Sequence, residues 1–102
     1  MYSLIITDKA DFDLDEIIEY ITVQLKNHKA AVDFITKIED CYDRLQDNPF
    51  IYITCSDKRL SKLGYRKALI GNYVLIYRVD KEEKTVYILR FFYASRDYEN
   101  YL

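Results

Sequence analysis

Glycine, proline, cysteine and histidine are all scarce in this chain: two Gly, one Pro, two Cys and one His among 102 residues. Each shortage closes a class of protein. So little Gly and Pro leaves no linker, no low-complexity run and no room for a long disordered arm. No glycine-rich loop is present to cradle a phosphate, and the residues for a Ser-His-Asp set are not arranged as one. Two cysteines and His28 cannot surround zinc with the usual ligand spacing, so neither a metal nor a cofactor is expected. Cys41 and Cys55 read instead as reduced thiols of a cytoplasmic protein. Long apolar runs are missing too. The opening MYSLIITDKADF has no basic lead-in and only a brief apolar stretch, so it reads as neither a signal peptide nor a membrane span.

What is present is half apolar and nearly a third charged, the profile of an ordinary globule, with no internal repeat. Residues 1–102 are expected to form one domain, which at this length buries about two thirds of its unfolded surface. The net charge of -2 conceals an asymmetry: residues 1–48 carry -6 and residues 49–102 carry +4. Lys58, Arg59, Lys62, Arg66 and Lys67 all fall within SDKRLSKLGYRK. Such a basic half suggests a face for an anionic partner; a solvated, lysine-rich hairpin would give the same composition.

The hydrophobic period changes along the chain. MYSLIIT is short and rich in β-branched residues, so a strand is expected over residues 2–7. Leu14, Ile17, Ile18, Ile21 and Leu25 then recur at helical spacing, behind Asp8, Asp11 and Asp13 at the end where a helix favours negative charge. Asn27 and His28 break the pattern. Ala31, Phe34, Ile35, Ile38, Tyr42 and Leu45 give a second amphipathic helix that must stop before Asn48-Pro49. YRKALI, YVLIYRV and TVYILRFF are three strand-like runs separated by Gly71-Asn72 and by residues 80–84, breaks short enough for β-hairpins. The order β-α-α-β-β-β predicts an α+β fold: an N-terminal strand and an antiparallel helical hairpin packed on one face of a twisted antiparallel sheet. The pairing of the first strand is left open, and nothing in this inventory covers the second face of the sheet.

The ending RFFYASRDYENYL poses a question of its own, because a frayed tail needs no aromatic residues. Either Tyr93, Arg96, Tyr98 and Tyr101 staple the tail to the body, or they form a surface that does something. Guanidinium groups fork onto phosphate oxygens and tyrosine rings stack on unpaired bases. The same residue types support RNA cleavage, where cations stabilise the charge gained by the phosphate and a Tyr or Lys moves a proton. The candidate binding residues are therefore Arg66, Lys67, Tyr93, Arg96, Tyr98 and Tyr101. Arg78 is expected to face solvent or pair with the acidic helices, Tyr73, Tyr77 and Tyr87 to pack the sheet, and His28 to sit in a turn.

DKADFDLDEIIEYI, RLQDNP, LGYRKALIGNYVLIYRV and VYILRFFYASRDYENYL together resemble the RelE/ParE superfamily of bacterial type II toxin–antitoxin toxins, over essentially the whole chain and in the family's order of elements. The resemblance implies the small toxin fold of that superfamily and a cognate antitoxin that wraps the toxin and covers its sheet. Two activities follow from it. RelE-type members cut mRNA in the ribosomal A site with a basic set on the sheet; here Lys67 and Arg96 match that set, Tyr98 or Tyr101 stands near its terminal tyrosine, and Val74 occupies the place of its strand arginine. ParE-type members poison DNA gyrase and lack the complete nuclease set. The block R-K-x5-Y-x-x-x-Y-R, the R-D-aromatic ending and the net charge align this chain with the ParE branch. A toxin of that kind is the expectation, with a ribosome-dependent nuclease second and a non-toxic interaction module third.

Overall fold

Capping residues fix where each helix begins. The computed structural model describes residues 1–102 and opens with strand β1, Ser3–Ile6. The Thr7 hydroxyl oxygen accepts the Ala10 N–H and so caps α1, Asp8–Glu19, with Asp8 and Asp11 in its first turn. From Tyr20 to Gln24 the helix widens into a π-turn. The run Ile21-Thr22-Val23 is β-branched throughout, and the Thr22 hydroxyl donates to the Ile18 carbonyl at 2.8 Å, competing with the backbone for that acceptor. Asn27 accepts the Ala30 N–H and starts α2, His28–Asp47, which ends before Pro49 as expected. The basic run is not a hairpin. Lys58–Lys62 forms a short helix, α3, capped by Asp57, and Leu60 on its inner side is fully buried.

Strands β2 (Tyr65–Ile70), β3 (Tyr73–Asp80) and β4 (Thr85–Tyr93) pair sequentially and antiparallel, as the short breaks require. Gly71 supplies the positive φ of 60° that the first hairpin turn needs. The sheet order is β1-β4-β3-β2, and β1 joins β4 in parallel, so the sheet is mixed rather than wholly antiparallel. Both ends of β1 are fastened in that orientation. The Tyr2 N–H reaches the Gln46 carbonyl at the end of α2, and Thr7 donates from its N–H to Ile88 and from its hydroxyl to Leu89.

Alternation along the strands sends side chains to two cores. On the helix side Ala68, Ile70, Leu75, Tyr77, Val86, Ile88 and Phe91 meet Ala31, Phe34, Ile38, Cys41 and Leu45 of α2. On the other side Val74, Ile76 and Phe92 are buried under Cys55 and Leu60, with Tyr98 and Leu102 packed against them. The second face therefore has a partial layer of its own, made by the segment before β2 and by the C-terminal tail. That layer corrects the expectation of a bare face. None of the helices is long and apolar enough to cross a membrane.

Tyr77 is wholly buried and donates its hydroxyl to the Pro49 carbonyl at 2.7 Å; the Tyr42 hydroxyl is buried without a partner. Burial pushes both phenols well above the usual tyrosine value. The neutral phenol is thus the form the fold holds. The tyrosine contribution to stability should be complete below about pH 10, the ordinary tyrosine value, and fall as pH rises beyond it; the buried Cys41 and Cys55 thiols, also raised by burial, add a loss that begins at lower pH. In a protein with both cysteines replaced by alanine, urea midpoints measured from pH 7 to pH 11 should stay level and then drop; a decline beginning near pH 8 would contradict this. Tyr77→Phe should cost about 1–2 kcal/mol, because it strands a buried carbonyl.

Candidate functional site

The end of β4 organises the surface around it. The β3–β4 register slips between Ile76 and Tyr77, so that Ile76 faces Arg90 while Tyr77 faces Ile88, and Leu89 is the extra residue. Past Ile88, β4 has no strand on its outer side, because its pairing with β1 stops there. Asp13 of α1 fills that edge. Its carboxylate accepts the Phe91 N–H at 3.0 Å and both Nε (2.6 Å) and an Nη (3.1 Å) of Arg90. This is the one ion pair of the structure, and its hydrogen bonding raises the Arg90 pKa further against the opposing effect of burial. The Arg90 guanidinium also lies over the Phe92 ring, 4.6 Å from its centre.

Beside that pair opens a cleft of about 650 Å³ between the π-helical end of α1 and the ends of β3 and β4. Tyr20 and Leu25 form one wall; Tyr73 and Tyr93, in edge contact at 5.7 Å, form the other, and Arg96 also lines the cleft. Tyr73 rests in turn on Phe34 of α2, and burial raises its pKa, reinforced by Tyr20 and Tyr93.

On the opposite face the tail folds back as a 3-10 turn, Tyr98–Tyr101. Tyr98 stacks on Phe92 with centroids 5.9 Å apart and planes 18° from parallel, and Tyr101 meets the same ring at 6.2 Å. The Lys67 ammonium donates to the Tyr98 hydroxyl at 3.3 Å, and Arg96 lies 4.1 Å above the Tyr101 ring. Glu99 ties the turn to the start of α3: its carboxylate accepts the Asp57 N–H at 3.0 Å and the Ser56 hydroxyl at 3.5 Å, while Arg59 donates to its carbonyl. The tail aromatics are therefore staples. Arg96 and Tyr101 remain exposed as well, and so also form surface.

The six residues singled out in the sequence divide among three places. Tyr93 and Arg96 line the cleft. Lys67, Tyr98 and Tyr101 belong to the tail face. Arg66 stands apart from both: it donates to the Tyr52 carbonyl at 2.7 Å and lies over Phe50, clamping the loop between α2 and α3. Arg66→Ala should cost about 2 kcal/mol, the loss of a charged hydrogen bond, and thermal denaturation of that variant is the check. Arg78 neither faces solvent freely nor pairs with a helix; it lies 4.6 Å over Tyr87. Asp13, read in the sequence only as a helix-start charge, and Tyr20, Arg90 and Glu99 are not singled out there as site residues. A further trace of them there is the charge of Arg90 inside an otherwise apolar strand. No cluster of His, Cys, Asp or Glu is placed to hold a metal ion.

A helical hairpin on a small sheet, with a basic and aromatic strand end, defines a class, and comparison with known proteins gives the family. Residues 4–98 match the sequence profile described as the ParE toxin of the type II toxin–antitoxin system parDE, and the chain belongs to that family. Among solved structures it is similar to the toxin–antitoxin complex RelBE2 of Mycobacterium tuberculosis, at 28% identity and TM-score 0.62, over 90% of this chain and 96% of the other. The chromosomal ParDE system of P. aeruginosa is similar at 26% identity and TM-score 0.68, over 89% and 94%. The archaeal RelE–RelB complex of Pyrococcus horikoshii, at 20% identity and TM-score 0.63 over 93% and 97%, shares the fold. No curated protein sequence matches the chain with significance.

Proposed function

We propose that this toxin arrests growth by inhibiting DNA gyrase, without cutting RNA, and that a cognate antitoxin neutralises it. The observation that carries the reading is the state of the cations on the sheet. Val74, at the position where a nuclease of the superfamily would carry an arginine, is fully buried in the cluster that holds Leu60 and Phe92. Arg66 is spent on a backbone carbonyl, Lys67 on the Tyr98 hydroxyl and Arg90 on Asp13. These three cations are engaged by separate partners in different parts of the structure, which weighs against the converging donors that a cleavage transition state needs. The antitoxin follows from the similarity to RelBE2, which is a toxin–antitoxin complex.

The test is paired. Purified gyrase with supercoiled plasmid should accumulate broken DNA when the toxin is added, and a translating extract should show no new mRNA ends. Ribosome-dependent cleavage abolished by Arg96→Ala would overturn the reading. The second reading, a RelE-like mRNA nuclease, draws on the Lys67–Tyr98 contact, a lysine against a phenol that could serve proton transfer.

A further inference from the structure

We propose that the cleft at the end of β4 is the seat of the antitoxin's anchor, and that its chemistry dictates the segment it takes. That segment carries an aromatic or branched apolar side chain, with a carboxylate on the side facing Arg96 and a lysine or arginine on the side facing Glu16. The inference rests on the reading that an antitoxin neutralises this chain, and it assigns that partner to particular residues.

Three features converge on it. The volume, about 650 Å³, accommodates side chains rather than a backbone wrapped on a flat surface, and lies in the range of binding pockets generally. Its walls leave large apolar groups in water: Tyr20 is 49% exposed, Leu25 55% and Tyr93 50%. Aromatic walls around a space that a partner can desolvate are where binding energy concentrates. The charges then orient the occupant. Four charged residues line the cleft, and two of them, Asp13 and Arg90, neutralise each other at 2.6 Å. Glu16 on α1 and Arg96 in the turn after β4 form no ion pair within the chain, and the Arg96 guanidinium rests on the exposed Tyr101 ring. An incoming segment therefore meets one anion from α1 and one cation from the turn after β4, neither of them in an ion pair, around an aromatic slot. A segment of the reverse polarity sets like charges against each other on both sides.

The same geometry moves the contact away from the most basic stretch of the sequence. Arg66 and Lys67 already have partners on other parts of the surface, so reversing their charge disturbs the fold before it disturbs a partner. The occupant is not the tail of this chain, because Tyr98 and Glu99 are held on the far side of the sheet by Phe92 and Asp57.

The experiment uses the intact toxin and the protein encoded by the reading frame adjacent to its own, with affinities measured by titration calorimetry and dissociation by surface plasmon resonance. Tyr93→Asp should weaken binding about 30-fold or more, mostly through faster dissociation, as expected for a buried aromatic anchor. Glu16→Lys and Arg96→Glu should each weaken it about 10-fold, and the double variant should be weaker than either. Lys58→Glu, on α3, should bind as the parent does. Tyr20→Ser on the facing wall repeats the anchor test should Tyr93→Asp fail to fold. Parent-like affinity in folded Tyr93→Asp and Tyr20→Ser overturns the assignment while leaving the antitoxin reading intact. A neighbouring protein that does not bind the parent toxin at all overturns both. Loss of self-association in Tyr93→Asp, with affinity for the neighbour unchanged, gives the cleft to a second copy of this chain and overturns the assignment too.

Discussion

Asp13→Ala should be among the most damaging single substitutions in this protein, lowering stability by about 2–3 kcal/mol, as expected when the charged hydrogen-bonding partner of a partly buried guanidinium is removed. The carboxylate performs two tasks at once. It neutralises Arg90, and it satisfies the Phe91 N–H where β4 has run out of strand neighbours. The side chain is 13% exposed, so water does not readily replace it. Alanine leaves a charged guanidinium half-buried against Phe92 and an unpaired N–H at a sheet edge, each costly by itself. Asp13→Asn should recover part of the loss, because its amide oxygen can still accept one of the two donors. Removing both charges together, in Asp13→Ala/Arg90→Leu, should recover more than half, since the damage comes from stranding a charge. Urea denaturation of the three variants reads this directly. Equal losses in the single and double variants would mean that the pair is not the source.

The pair also shows what a sequence discloses and what it does not. The helical hairpin was legible because its stripes repeat over many residues; Ala31, Phe34, Ile38 and Leu45 fall on one face and all are buried. The three later strands were legible because their breaks are too short for anything but hairpins. Asp13 and Arg90 are 77 residues apart, and no local period links them. Strand β1 has four residues, too few for its pattern to favour parallel or antiparallel pairing, and its placement depends on Thr7 and Tyr2 bonding to distant carbonyls.

The second core was hidden for another reason. KRLSK reads as a charge run, and a single buried leucine, Leu60, anchors it. The tail reads in the sequence as either a staple or a binding surface, and the rings of Tyr98 and Tyr101 meet Phe92. Composition drew attention to these residues without revealing which face each would occupy. Lys67 and Arg96, two residues of the same candidate set, end up making separate contacts, one with Tyr98 and one with Tyr101.

Deleting residues 98–102 should abolish growth inhibition while the affinity for the antitoxin falls by less than about 10-fold, the loss typical of residues outside a binding hot spot. The cut is placed after Asp97 so that Arg96, which lines the cleft, is retained. What disappears is the exposed edge of Tyr101, the ring beneath Arg96, and the cover over Phe92, Val74 and Ile76. Lost cover also lowers stability, so toxicity could fall for a trivial reason, and Tyr101→Ala separates the two causes. That ring is 54% exposed and its removal leaves Tyr98 on Phe92 and Glu99 on Asp57. A folded Tyr101→Ala protein should therefore retain its melting temperature within a few degrees, a shift worth about 1 kcal/mol. It should nevertheless inhibit gyrase less than the parent in the plasmid assay. If both the truncated protein and Tyr101→Ala arrest growth like the parent, the tail is a staple and nothing more, and the surface that reaches the target must be sought on the helices.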